Sequence, residues 1–208
     1  MFLDEEKLKK LIDEVCVIED IKIHDIPCVD LYMDQVTSFF DDKLSSLKRE
    51  EEEKILTKTM INNYAKARIL LPVKNKKYTK ENIILLNLIY SLKQILSIND
   101  ISLLLGPLLG ELQGELQKEE ESSRYLNDIY TKFLELKNGR EMEFKESFQK
   151  SLGEIGEEFH KSEDTNEKEE KAKLLLMVLL LINGASIQKR MAEKIIDNFF
   201  KDIDSKKK

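Results

Sequence analysis

The stretch from Lys54 to Lys80, KILTKTMINNYAKARILLPVKNKKYTK, holds eight basic residues and no Asp or Glu. The cations are Lys54, Lys58, Lys66, Arg68, Lys74, Lys76, Lys77 and Lys80. The whole chain of 208 residues carries a formal net charge of -6, which leaves -14 on everything outside this stretch. An acidic chain that keeps one segment free of carboxylates can offer that segment to an anion. A solvated lysine-rich face is the plainer alternative.

The pattern inside the stretch predicts a helix over Thr57–Ala67. Met60, Ile61 and Tyr64 fall on its inward side. Lys58, Asn62 and Lys66 recur at four-residue intervals on the opposite side, with Thr59 and Asn63 beside them. Ile69 to Pro72 is a short apolar segment, and Val73 to Tyr78 is short, basic and fits a small hairpin. Thr79 then reads as the cap of a long helix with Glu81 in its first turn. Ile83, Leu86, Ile89, Tyr90 and Ile95 are its expected buried residues.

Upstream, Phe2 to Glu19 is amphipathic, with Leu8, Leu11, Ile12, Val15 and Ile18 on one stripe. Pro27 breaks the chain, and Asp30 reads as the N-cap of a helix over Leu31–Leu44. Ser45 to Glu53 is polar and reads as a loop or an exposed helix start. Downstream, Ser97 with Asp100 signals a new helix expected to end near Leu105, before Gly106-Pro107. Leu126, Ile129, Tyr130, Phe133 and Leu136 mark another helix, with Asn138-Gly139 as its expected stop. Glu141 to His160 reads as a further helix. Ala172 to Ile182 reads as the most buried helix, ending at Asn183-Gly184, and Ser186 as the cap of the last one.

From Thr57 to Leu105 the order helix, apolar turn, basic hairpin, long helix resembles the winged helix-turn-helix of MerR-type regulators. The matching text is Met60-Ile61-Asn62-Asn63-Tyr64, Ile69-Leu70-Leu71-Pro72 and Lys76-Lys77-Tyr78-Thr79-Lys80-Glu81-Asn82-Ile83. The segments Asp30–Val36 and Leu56–Tyr64 also resemble an uncharacterised bacterial family of unknown function that is itself MerR-like. Against the MerR pattern, Asn62 stands in place of an Arg, Asn63 in place of an aromatic and Arg68 in place of a Gly. The resemblance implies a recognition helix in the major groove of duplex DNA and a basic wing on phosphates. Carried onto this chain, the DNA-binding residues are Lys58, Thr59, Asn62, Asn63, Lys66, Arg68, Lys74, Lys76 and Lys77. The asparagines suit bidentate pairing with adenine, and the lysines suit phosphate. The resemblance further implies a homodimer, with Leu112–Leu136 as one candidate dimerising helix and an effector ligand of unknown identity.

Other chemistry finds little support. Glu157 and His160 have a spacing used in di-iron bundles, but the only other histidine is His24 and no second Glu-x-x-His exists. Cys16, His24 and Cys28 are loosely spaced, and the two cysteines read as free thiols in a reducing cytoplasm. No glycine-rich phosphate loop or nucleophile motif is present, so the chain is expected to be no enzyme, with no metal and no cofactor. Met1–Leu3 runs straight into charge and does not read as a signal peptide. The longest apolar run, Leu174–Ile182, is nine residues against the roughly 20 a membrane span needs, so no membrane association is expected.

The expected fold is mainly α: an N-terminal helix over 1–28, a winged helix-turn-helix with a small β wing over 29–106, and a C-terminal helical bundle over 107–208. The expected function is a DNA-binding transcriptional regulator. The alternative is a non-enzymatic protein-interaction module that retains the winged-helix fold without DNA binding.

Overall fold

A computed structural model describes residues 5–16, 20–113, 119–159 and 167–201. The fold is mainly helical. In chain order the elements are α1 (Glu5–Cys16), β1 (Leu31–Tyr32), α2 (Met33–Lys43), a 3-10 turn (Ser45–Leu47), α3 (Lys58–Lys66), β2 (Lys77–Tyr78), α4 (Lys80–Lys93), α5 (Ile98–Leu112), α6 (Glu119–Phe159) and α7 (Glu167–Phe199). The chain divides into two compact units, Met1–Ile18 with Glu135–Arg190 and Glu19–Leu134 with Met191–Lys208.

The larger unit is built around α4. Its sequence, KENIILLNLIYSLK, is apolar on nearly every side, so it must be enclosed rather than laid on a surface. Ile83, Ile84, Leu85, Leu86 and Ile89 are all at most 1% exposed. The same core contains Val36 and Phe40 of α2, Ile61 and Tyr64 of α3, Tyr78 of β2, Ile101 and Leu105 of α5, and Leu126 and Tyr130 of α6. Ile95, expected in this core, is exposed instead. The helix ends at Lys93, and Ile95 lies in the turn where its amide donates to the Leu92 carbonyl.

β1 and β2 pair antiparallel, Leu31 with Tyr78 and Tyr32 with Lys77. This pairing moves the start of the second helix. Asp30 is not its cap; Leu31 and Tyr32 are extended, Leu31 is buried, and Tyr32 is the N-cap with its amide donating to Gln35 Oε1 at 2.9 Å. Two helix ends expected from sequence are also passed over. α5 runs through Gly106 and Pro107 to Leu112. A glycine before the proline lacks the Cβ that would clash with the ring, and buried Leu105 and Leu109 hold the helix on both sides of the proline. α6 runs through Asn138-Gly139, where the Lys137–Glu141 ion pair at 3.1 Å spans the glycine. A glycine in a helix costs about 1 kcal/mol, which a helix held elsewhere can absorb.

A buried polar chain closes the larger unit. The Asn87 amide donates to the Tyr130 hydroxyl, which donates to the Ile21 carbonyl at 2.5 Å. It links α4, α6 and the segment before β1. Burial pushes the Tyr130 hydroxyl up to about 12.

The smaller unit contains α1 and parts of α6 and α7. Ile12, Ile155 and Met177 are buried in it, Lys145 pairs with Asp13, and the Cys16 thiol lies 3.8 Å from the Glu141 carbonyl. Here the largest expectation is reversed. Of the run Leu174–Ile182 only Met177 is buried; Leu174 is half-buried and the other seven are exposed. α7 also does not stop at Asn183-Gly184, and Ser186 is no cap. Its hydroxyl donates back to the Ile182 carbonyl at 2.8 Å within the continuous helix. No helix among the described residues is long and apolar enough to cross a membrane.

Tyr130→Phe should destabilise the protein by about 1–3 kcal/mol, because it strands the Asn87 amide and the Ile21 carbonyl in a dry interior. Urea unfolding at neutral pH measures this. The tyrosine ionises near 10 in the unfolded chain and higher in the folded one, so its contribution is complete below pH 10 and declines as pH rises from 10 toward 12. The phenylalanine variant should therefore lose less of its own stability across that alkaline window than the wild type.

Candidate nucleic-acid interface

α3 begins with Thr57, whose Oγ1 accepts from the Met60 amide at 3.2 Å. Ile61 and Tyr64 are the buried residues that seat it on the core. Their position fixes the other face: Lys58, Thr59, Asn62, Asn63 and Lys66 are all exposed. The 48–55 loop does not cover that face, because it is tied down elsewhere. Asp41 of α2 accepts from the Ile55 amide at 3.1 Å and pairs with Lys54 at 3.1 Å and Lys48 at 3.3 Å. The Ile55 amide first, then the two lysines, hold the Asp41 carboxyl below its usual range.

The end of α3 is a Schellman turn. The Ile69 amide donates to the Tyr64 carbonyl at 3.2 Å and the Arg68 amide to the Ala65 carbonyl at 3.1 Å. This geometry requires a left-handed residue at Arg68, whose φ is 57°. Glycine is the ordinary occupant of such a position; a side chain there costs about 1 kcal/mol.

The hairpin that follows is a two-residue turn. Lys74 and Lys77 bridge antiparallel, the Lys77 amide donates to the Lys74 carbonyl at 2.9 Å, and Asn75 and Lys76 have φ of 52° and 61°. Positive φ at both central positions is the pattern of a type I′ turn, for which Asn-Gly is the favoured sequence. Here the second position is Lys76. Tyr78 anchors the base of the hairpin in the core, and the Lys77 ammonium lies 5.2 Å from the centre of the Tyr32 ring. Ala65, Arg68, Val73 and Tyr78 line one cavity of about 630 Å³, so the end of α3 and the hairpin lie side by side.

The nine residues marked in the sequence therefore divide. Asn62, Asn63 and Thr59 are exposed on α3. Lys66, Arg68, Lys74 and Lys76 are exposed and form no ion pair or hydrogen bond with any other described side chain. Lys77 is half-buried against Tyr32. Lys58 pairs with Asp34 of α2, a partner that sequence reading missed because nothing local links residues 34 and 58. Both members of that pair are largely exposed, and such pairs contribute at most about 1 kcal/mol, so a phosphate can displace Asp34. Sequence reading also missed the strain: Arg68, Asn75 and Lys76 are the only non-glycine residues with positive φ among those described. The departure of Arg68 from glycine was its only visible signal.

Elsewhere, no cluster of three or more metal-ligating side chains occurs among the described residues. Cys16 and Cys28 are free thiols. His160 lies outside the described residues, so the Glu157–His160 spacing is not placed.

These features define a mainly helical protein with a two-stranded sheet and a basic face whose own segment, 54–80, holds no carboxylate. The family described as Domain of unknown function (DUF1836) matches residues 21–133, more than half of the chain, and the chain belongs to it. The match nearly coincides with Glu19–Leu134, the main segment of the larger unit, whose ends the Tyr130–Ile21 hydrogen bond joins. No curated protein and no solved structure matches the chain.

Arg68→Gly should relieve the left-handed strain and raise stability by about 1 kcal/mol in urea or thermal unfolding. Lys76→Gly, which makes the turn Asn-Gly, should act in the same direction. Destabilisation by both would contradict the backbone argument.

Proposed function

We propose that the chain is a DNA-binding regulator that presents α3 to the major groove and the 74–77 hairpin to the phosphate backbone. The observation that carries this is the placement of Arg68 and Lys76. Both put a cation where the backbone favours glycine, and both sit in the segment 54–80, which holds no carboxylate. Strain of this kind is retained where the side chain is needed for another purpose. Lys66 and Lys74 add two more cations with no acidic partner among the described residues.

The order of elements supports the same reading. α2, α3, the hairpin and α4 follow one another as the parts of a winged helix-turn-helix do, and β1 tethers the wing through Tyr78 and Lys77. In this arrangement Lys66, Arg68, Lys74, Lys76 and Lys77 contact phosphates, while Thr59, Asn62 and Asn63 face base edges. Lys58 joins them when phosphate replaces Asp34. MerR-like regulators bind as dimers on two-fold sites, and a dimer here would place two α3 helices about one DNA turn, roughly 34 Å, apart.

The alternative, an interaction module that has lost DNA binding, would be favoured by an α3 face covered from within. Asn62, Asn63 and Lys66 are instead open to solvent in the single chain.

Fluorescence anisotropy with a labelled duplex tests the proposal. Affinity should fall steeply with salt, and Lys66→Ala, Lys74→Ala and Lys76→Ala should each lower it on every sequence while flattening the slope of log K against log salt by about one. Asn62→Ala should alter preference among sequences. Arg68→Gly should weaken binding while stabilising the fold. Affinity unchanged across these variants would sink the assignment.

A further inference from the structure

The exposed run on α7 is the largest unexplained feature of the molecule. Seven aliphatic side chains between Leu175 and Ile182 are 39–61% exposed. Together they present on the order of 600 Å² of apolar surface, the upper end of the largest patch found on ordinary monomers. A nine-residue helical run is only about 14 Å long and cannot cross a hydrocarbon layer of roughly 30 Å.

We propose that this face of α7 packs against the same face of a second copy of the chain. Leu175, Leu179 and Ile182 recur at intervals of four and three and so form one stripe. Met177 and Ala185 fall on the other side, where they line a cavity of about 410 Å³ with Phe148 of α6; Leu180 and Leu181 line the same cavity while remaining 53% and 40% exposed. Within its unit α7 therefore has a partner on one side only.

Area and charge identify the occupant. Two such runs facing each other bury on the order of 1,200 Å² in total, the lower end of specific protein interfaces. No charged residue occurs from Leu174 to Gln188. Charges before the run are matched along their own helix, Lys171 with Glu167 at 2.8 Å and Lys173 with Glu170 at 3.8 Å. On α6, Arg140 pairs with Glu143 at 2.6 Å and Lys150 with Glu154 at 3.7 Å. Within the run itself two identical copies meet without like-charge repulsion, and the run holds no charge to select a charged partner. An apolar centre with charged residues beyond both ends is self-complementary about a two-fold axis, apolar core to apolar core and charged rim to solvent. Of the stripe within Leu112–Leu136 expected to dimerise, Leu126 and Tyr130 are buried in the core of the larger unit, while Phe133 and Leu136 are exposed.

This inference stands without the DNA reading and is tested without DNA. Sedimentation equilibrium of the full chain should give twice the 24.3 kDa chain mass. The combined variant Leu175→Glu, Leu179→Glu, Ile182→Glu should sediment as a monomer, with a dissociation constant raised at least ~100-fold, since burying unpaired carboxylates across an interface is strongly unfavourable. Circular dichroism should show its helix content retained, because the three side chains are exposed within one chain. A second measurement serves if that variant fails to fold. Leu179→Cys in a Cys16→Ser, Cys28→Ser background should form an intermolecular disulfide on mild oxidation, and Asn62→Cys in the same background should not. A monomeric wild type, a dimer that survives the folded triple variant, or no cross-link through position 179 would overturn the proposal.

Discussion

Of helix α4 only Ser91 is exposed, and the architecture of the larger unit follows from that near-complete enclosure. A helix that is apolar all round has to be enclosed, and here α2, α3, α5, β2 and α6 each contribute side chains to the core that encloses it. The seating of α3 by Ile61 and Tyr64 is one part of this enclosure. Because those two residues point at the core, helical geometry turns Lys58, Asn62 and Lys66 outward. The candidate interface is thus a consequence of core packing rather than a feature added to it. The 74–77 hairpin depends on the same core through Tyr78, and its register depends on the short ladder with Leu31 and Tyr32.

On that base the chain places two kinds of local concession. Inside, the Asn87–Tyr130–Ile21 chain puts polar groups in a dry interior but satisfies them in sequence, and it joins the two ends of the segment that the family covers. Outside, Arg68 and Lys76 accept left-handed backbone where glycine would relax. The first arrangement fixes one arrangement of α4, α6 and the segment before β1. The second costs stability and gains nothing inside the fold, which is why it directs attention to what the cations meet outside it.

Much of this was legible in the sequence wherever the signal was local. The α3 helix, the Ser97–Asp100 start of α5, the 74–77 hairpin and the outward polar face of α3 all follow from spacing over a few residues. Helix stops were less legible, because Gly139 and Gly184 each weigh only about 1 kcal/mol against continued helix. The start of α2 was misplaced because the pull on Leu31 and Tyr32 comes from Lys77 and Tyr78, more than forty residues away. The apolar run of α7 was misread for a different reason. Hydrophobicity says that a surface avoids water, and it does not say whether the covering comes from the same chain. The site shows the same division. Its residue types were visible, whereas the Asp34–Lys58 pair and the φ of Arg68 exist only in the folded chain.

The central claim is that the strained, basic surface around α3 and the 74–77 hairpin is where duplex DNA binds. The most direct measurement is a titration of the isotope-labelled protein with a short duplex, followed by backbone amide shifts. The account predicts salt-dependent shifts centred on Thr59, Asn62, Asn63, Lys66, Arg68 and residues 74–77, with the Leu174–Ile182 run unchanged. Shifts confined to other surfaces, or none at low salt, would contradict it.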